Sequence, residues 1–280
     1  MTDDPKASDV SASAAQPRAS DPPAPYLGTS LWWEEEQAFA EDAAGRSDDL
    51  WGLWGPGPAP FTPEILALLS DVETAFARTG ADTPPWPDPH LLPDGSSGSP
   101  EEAEYSRCLD PEKYRILGAR AAAWTVVLTA RGWAVAEEGV PAGSSVDVWA
   151  APPHAGTAAA TVLRPRRPEA SPLVLAVTGP ELPGLVVGVG EPALAVLETP
   201  DCGCDACDDG SASMLRELDE ILLSVVDGSL EAHRSPTAHG VRTSFGSSEG
   251  SGEDTGGPSV RVRAAAWVED WTPRDLQQPF

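Results

Sequence analysis

The stretch Leu173-Val174-Leu175-Ala176-Val177-Thr178-Gly179-Pro180-Glu181-Leu182-Pro183-Gly184-Leu185-Val186-Val187-Gly188-Val189-Gly190-Glu191-Pro192-Ala193-Leu194-Ala195-Val196-Leu197 holds three short apolar runs, each cut off by Gly or Pro. Such runs read as strands, because branched side chains suit a pleated surface and proline cannot continue a ladder. The links between them are far shorter than the roughly twelve residues that a parallel crossover needs. Leu173–Val177, Leu185–Val189 and Ala193–Leu197 are therefore expected to pair antiparallel, preceded by Trp133–Ala136, Ser145–Ala150 and Thr157–Leu163. Leu230–His233 and Val241–Phe245 are further candidates, and Val260–Val268 is expected as an edge strand.

On either side of these strands the apolar period lengthens to that of a helix. Thr62-Pro63-Glu64 reads as N-cap, N1 and N2 of a helix whose stripe is Ile65, Leu68, Leu69, Val72 and Phe76, with Gly80 as its stop. Asp110-Pro111-Glu112 carries a similar start signal, before a stripe of Leu117, Ala121, Trp124 and Leu128 that ends at Gly132. A third stripe, Leu215, Leu218, Leu222 and Val225 with Met214 and Ile221 beside it, runs from Ser211 to Val226 and stops at Gly228. Glu217, Asp219 and Glu220 fall between its apolar positions and are expected to complement the helix dipole. The fold class that follows is α+β: a single domain with a largely antiparallel sheet packed by two or three helices, plus a disordered N-terminal tail.

Composition places this domain within the chain. Residues 1–28 are Ala, Ser, Asp and Pro without apolar period, the composition of a disordered tail. Residues 29–60 form a Trp-rich acidic segment and linker, with Trp32, Trp33, Trp51 and Trp54, closed by Pro56-Gly57-Pro58-Ala59-Pro60. These tryptophans either dock on the main domain or face a partner, and docking is favoured because large aromatics are usually buried where a surface allows it. Residues 61–280 are the α+β domain, with 246–258 as a flexible loop. The formal net charge is -26, from 18 Lys and Arg against 44 Asp and Glu. Such a field repels nucleic acid and anionic membranes, so neither is expected as a partner. An unknown protein or small-molecule partner fits better, a basic or cationic one best. No apolar run approaches the roughly 20 residues of a membrane span, and the polar start is no secretory signal, so the cytoplasm is the expected location.

The local chemistry lies in Pro200-Asp201-Cys202-Gly203-Cys204-Asp205-Ala206-Cys207-Asp208-Asp209. Three thiols in six residues can bind a soft metal, form a disulfide or simply pack. For zinc, Cys202, Cys204 and Cys207 supply three of the four tetrahedral ligands, leaving the fourth to Cys108, His233, His239 or a neighbouring Asp. As a redox pair, Cys204-Asp205-Ala206-Cys207 gains from the helix start that follows, while Asp201, Asp205, Asp208 and Asp209 oppose a thiolate. Elsewhere, Trp86 and His90 within Thr83-Pro84-Pro85-Trp86-Pro87-Asp88-Pro89-His90 either line a pocket or belong to a segment strapped across the core, the favoured reading. Tyr105, Arg107, Tyr114 and Arg115 form either an anion site or a salt-bridge cluster with Glu102, Glu104 or Glu112, and the cluster is favoured. The chain contains no G-x-S-x-G elbow and no H-E-x-x-H helix.

From about Thr62 to Phe245 the chain resembles an uncharacterised protein family, a domain of unknown function found in actinobacteria. Three motifs carry the resemblance: Pro84-Pro85-Trp86-Pro87-Asp88-Pro89-His90; Tyr105-Ser106-Arg107 with Asp110-Pro111-Glu112-Lys113-Tyr114-Arg115-Ile116; and Pro200-Asp201-Cys202-Gly203-Cys204-Asp205-Ala206-Cys207-Asp208. The resemblance implies an organism class and a cytoplasmic location but no reaction. On the residues, the expected function is a non-enzymatic binding or regulatory domain with structural zinc at the thiol turn. The alternative is a thiol-dependent or metal-dependent enzyme with its site at the same turn.

Overall fold

The computed structural model describes residues 31–45, 59–141, 148–251 and 259–276. Five strands form the first sheet as a meander, in the order β1 (Ala134–Pro141), β2 (Thr157–Pro165), β3 (Leu173–Thr178), β4 (Leu185–Gly190) and β5 (Ala193–Thr199). Every pairing is antiparallel, with Leu175 opposite Val187 and Val187 opposite Leu197. The central run is apolar at successive positions because both faces of the sheet are covered. Leu173, Leu175, Val187 and Val189 face the main core, whereas Val174, Ala176 and Val186 join Trp149 in a second cluster. Gly188 permits that second layer, since a Cβ there would lie 2.4 Å from the Trp149 ring. The strand expected over Ser145–Ala150 is not formed where the chain is described. Trp149 makes one isolated parallel bridge to Ala193, its backbone being committed to covering the sheet; residues 142–147 lie outside the described part.

A second antiparallel sheet has the order β8-β7-β6-β9, from β6 (Leu230–Arg234), β7 (Ala238–Thr243), β8 (Ser247–Ser251) and β9 (Val260–Arg263). β9 is an edge strand as expected but stops at Arg263. The flexible loop expected over 246–258 is corrected for its first part: Ser248 pairs with Val241 and Ser251 with Ala238. A ladder bonds backbone groups, so a Ser- and Gly-rich stretch can join it without an apolar pattern to announce it. Residues 252–258 lie outside the described part.

Helices α1 (Trp32–Gly45), α2 (Pro63–Thr79), α3 (Arg115–Ala130) and α4 (Gly210–Asp227) contribute to one apolar core with both sheets. The Thr62 hydroxyl accepts from the Ile65 amide at 3.4 Å, and Gly80 closes α2 with a 2.8 Å bond to the Phe76 carbonyl. The Asp110 side chain, expected as an N-cap, makes no capping bond; Pro111–Tyr114 is a 3₁₀ turn that precedes α3. Trp32 and Trp33 are buried, so the docking reading of these two tryptophans holds, and α1 shares the core with α2, α3 and α4 across the proline-rich stretch read as a linker. Residues 1–30, with the expected tail, and 46–58, with Trp51 and Trp54, lie outside the described part. Among the described residues no helix is long and apolar enough to cross a membrane.

Asp219 departs from its expected role. It is the tenth residue of α4, past the first turns, and fully buried. Its carboxylate accepts from Arg120 Nε at 2.9 Å and Nη2 at 2.6 Å, from Trp124 Nε1 at 2.7 Å and from Trp32 Nε1 at 3.0 Å. Arg120, equally buried, also reaches Glu73 on α2 at 2.8 Å. A buried ion pair persists only when its remaining donors and acceptors are satisfied. Here that requirement joins all four helices.

Candidate metal centre

Strand β5 ends at Thr199 and α4 begins at Gly210, so the ten residues between must turn within a short distance. Gly203 makes the turn possible with φ 63, where a Cβ would also approach Leu182 to 2.6 Å. A single 3₁₀ turn, Asp205–Cys207, follows, with the Cys207 amide donating to the Cys204 carbonyl at 3.0 Å. This geometry turns Cys202, Cys204 and Cys207 toward one point, and their Sγ atoms all lie within 4.8 Å of one another. Cys202 and Cys207 are exposed and Cys204 is half-buried.

Two aspartates fasten the turn from behind. Asp205 accepts from Arg107 Nε at 2.9 Å and the Leu109 amide at 3.1 Å, while its own amide donates to the Arg107 carbonyl at 2.9 Å. Asp208, buried, accepts from Trp86 Nε1 at 2.8 Å, Lys113 Nζ at 2.5 Å and the Gly210 amide at 3.0 Å. Lys113 lies over both Trp86 and Tyr114, whose rings meet edge to face at 5.7 Å. The segment holding Trp86 is closed onto α4 by the Ser211 amide, which donates to the Trp86 carbonyl at 3.1 Å. The three motifs singled out in the sequence thus meet at one place. Beside them, Pro84, Pro85, Trp86, Lys113 and Arg115 line an open groove.

The thiols are electrostatically unequal. Hydrogen bonds with Cys202 and then Cys207 lower the Cys204 thiol from its ordinary value. Cys207 is pushed up to about 12, chiefly by its bonds with Cys204 and Cys202 and then by burial. Of the two shifted thiols, Cys204 is therefore the more readily ionised. Asp205 and Asp208, counted in the sequence as charges opposing a thiolate, are each paired with a cation.

The remaining expected residues are distributed as follows. Cys108 is exposed, its thiol raised by burial and by Asp205, and it stands outside the three-thiol group. His233 and His239 lie on β6 and β7, also outside it. His90 Nε2 is 3.4 Å from Glu104, and Trp86 serves Asp208. Arg107 pairs with Glu104 at 3.1 Å as well as with Asp205, and Arg115 pairs with Glu112 at 3.0 Å, which is the salt-bridge reading. Tyr114 is buried and Tyr105 exposed; burial, then Asp208, drives the Tyr114 hydroxyl upward. Sequence reasoning missed Lys113 as the partner of Asp208, although both lie within the quoted motifs.

Residues 72–276 match the model of a family described as Family of unknown function (DUF6226), a span that holds all three motifs and both sheets. No curated protein and no solved structure matches the chain.

Proposed function

The chain belongs to this family of unknown function, and on that premise we propose that it is a non-enzymatic, cytoplasmic binding domain whose Cys202, Cys204 and Cys207 hold a soft metal ion, zinc. One observation carries the reading: three thiols converge within 4.8 Å on a turn fastened by Asp205 and Asp208. Zinc–sulfur bonds of about 2.3 Å place thiolates around one ion roughly 4 Å apart, close to the separations within 4.8 Å found here. A dication deprotonates coordinating thiols outright, so it would overcome the proton held on Cys207. The groove beside the turn, walled by Trp86, Pro84 and Pro85, supplies a surface for a protein or small-molecule partner. Neither nucleic acid nor a membrane belongs to this reading, because the net charge of -26 repels both.

The experiment is elemental analysis of untagged protein purified under reducing conditions, with thiol titration before and after chelation. About one zinc per chain is expected, with thiols released and thermal stability lost on chelation. Metal-free protein with three freely titrating thiols at the turn sinks the proposal. The lowered Cys204 thiol supports a second reading, a thiol-dependent enzyme with Cys204 as nucleophile. That reading requires metal-free protein in which Cys204 is alkylated ahead of Cys202 and Cys207.

A further inference from the structure

Zinc in a structural site takes four ligands in a tetrahedron, whereas a softer ion is satisfied by fewer when all of them are sulfur. The donors gathered at the turn are of one kind. Among the described residues, the group that converges within 4.8 Å is Cys202, Cys204 and Cys207, three sulfur donors with no imidazole or carboxylate among them. Cys108 sits between the two residues that bond Asp205, yet its thiol stays outside the group, and His233 and His239 belong to the second sheet. The neighbouring carboxylates fall into two pairs. Asp205 is held by Arg107 and Leu109, and Asp208 by Trp86, Lys113 and Gly210, so using either as a ligand would break the contacts that fasten the turn. Asp201 and Asp209 stand exposed at its two ends, and Asp209 makes no capping bond to α4. These two remain available to a metal, as hard oxygen donors.

Two kinds of ion therefore meet the turn differently. A zinc ion on three thiolates must still draw a fourth ligand, for which Asp201 and Asp209 are the carboxylates at hand. Copper(I), with a closed shell and a single charge, bonds thiolate strongly, gains little from a carboxylate and is complete with three sulfurs. Resting on the reading that the turn holds a soft metal, we infer that copper(I) is the ion it holds most tightly, on Cys202, Cys204 and Cys207 alone, and that copper(I) displaces zinc from the site. The exchange moves no electron and no proton: zinc leaves as the dication, its fourth ligand is released, and copper(I) takes over the same three thiolates. With a carboxylate closing the zinc site, the coordinated group has the same net charge before and after, so the pairs of Asp205 with Arg107 and of Asp208 with Lys113 stay as they are. Cys202 and Cys207 are exposed, which lets an incoming ion reach two of the three sulfurs before zinc has left. The turn then serves as an acceptor of copper(I).

Zinc-loaded full-length protein, kept reduced and free of oxygen, is titrated with copper(I) supplied as its acetonitrile complex. Released zinc is read with a chromogenic chelator, and copper binding by the ultraviolet copper–thiolate band. About one equivalent of copper(I) should release nearly all the zinc. X-ray absorption at the copper edge should show three sulfur neighbours and no oxygen or nitrogen, in the parent, in Cys108→Ser and in the double variant Asp201→Asn with Asp209→Asn. That double variant should hold zinc at least about tenfold more weakly than the parent and copper(I) equally well. Zinc retained against several equivalents of copper(I) would overturn the inference while leaving the metal site of the proposed function standing. An oxygen or nitrogen neighbour on copper, or copper affinity lost in Cys108→Ser or in the double variant, overturns three-sulfur coordination. Zinc held as tightly by the double variant as by the parent overturns the part given to the two carboxylates. Uptake of copper(I) by protein that takes no zinc keeps this inference and removes zinc from the proposed function. Failure to take up either ion overturns both.

Discussion

Glu220 lies on α4 beside the buried Asp219, with one oxygen 2.7 Å from Arg216 Nε. Burial raises its carboxyl above the ordinary range; Arg216 opposes the rise, and Glu36 and Asp219 add to it. Between the ordinary value of about 4.3 and the raised one, the folded chain binds more protons at this site than the unfolded chain. Stability contributed by Glu220 therefore falls as pH rises through that window, and the penalty is complete above it. Glu220→Gln keeps an acceptor for Arg216 and removes the titration. Its urea midpoint should exceed that of the parent at pH 7 and coincide with it near pH 4, where both side chains are neutral. An equal gain at both pH values would assign the effect to packing.

Gly210 decides how the proline-rich segment meets α4. Its φ is 80, and a Cβ there would lie 2.5 Å from the Asp88 amide nitrogen, which is backbone and cannot swing aside. Gly210→Ala combines a left-handed conformation that alanine resists with this collision, and should cost more than about 1 kcal/mol. Thermal unfolding measures the loss, and hydrogen exchange at the Ser211 amide, bonded to the Trp86 carbonyl, locates it. A variant that melts with the parent and protects Ser211 equally would show that the contact does not constrain the strap. The start of α4 was legible as a Gly-flanked transition into an apolar stripe. The residue it abuts, more than a hundred positions earlier, was not.

For the whole molecule the informative element is α1, which joins the core of a domain expected to begin at residue 61. Trp32 sets its ring edge against Phe61 and Phe245, lies beneath Arg216, and donates to Asp219. Trp32→Ala removes this packing and one of the donors to the buried carboxylate, and should cost about 3 kcal/mol. Urea denaturation followed by circular dichroism is expected to give one transition, shifted to lower urea. An unmoved midpoint would mean that α1 folds and unfolds apart from the core.

The sequence by itself determined most of the elements: period-two and continuous apolar runs for the strands of the first sheet and for β6, β7 and β9, 3.6-period stripes for α2, α3 and α4, and links too short for anything but antiparallel pairing, but not β8, which has no apolar pattern. It also determined that three thiols share one turn, because Cys202, Gly203, Cys204 and Cys207 are neighbours along the backbone. Those features are local, set by sterics and by which face of an element meets water. Only the tertiary structure decided how the polar groups were matched. Arg120 stands on the apolar stripe of α3, three residues after Leu117 and four before Trp124, which marks it as buried without saying by what it is satisfied. Its partner Asp219 is 99 residues away, as Arg107 is 98 from Asp205 and Lys113 is 95 from Asp208. A charge reveals in sequence that it needs a partner, but proximity in the folded chain selects which one. At the thiol turn, that selection commits Asp205 and Asp208 to cations and leaves Cys202 and Cys207 exposed, with Cys204 half-buried between them.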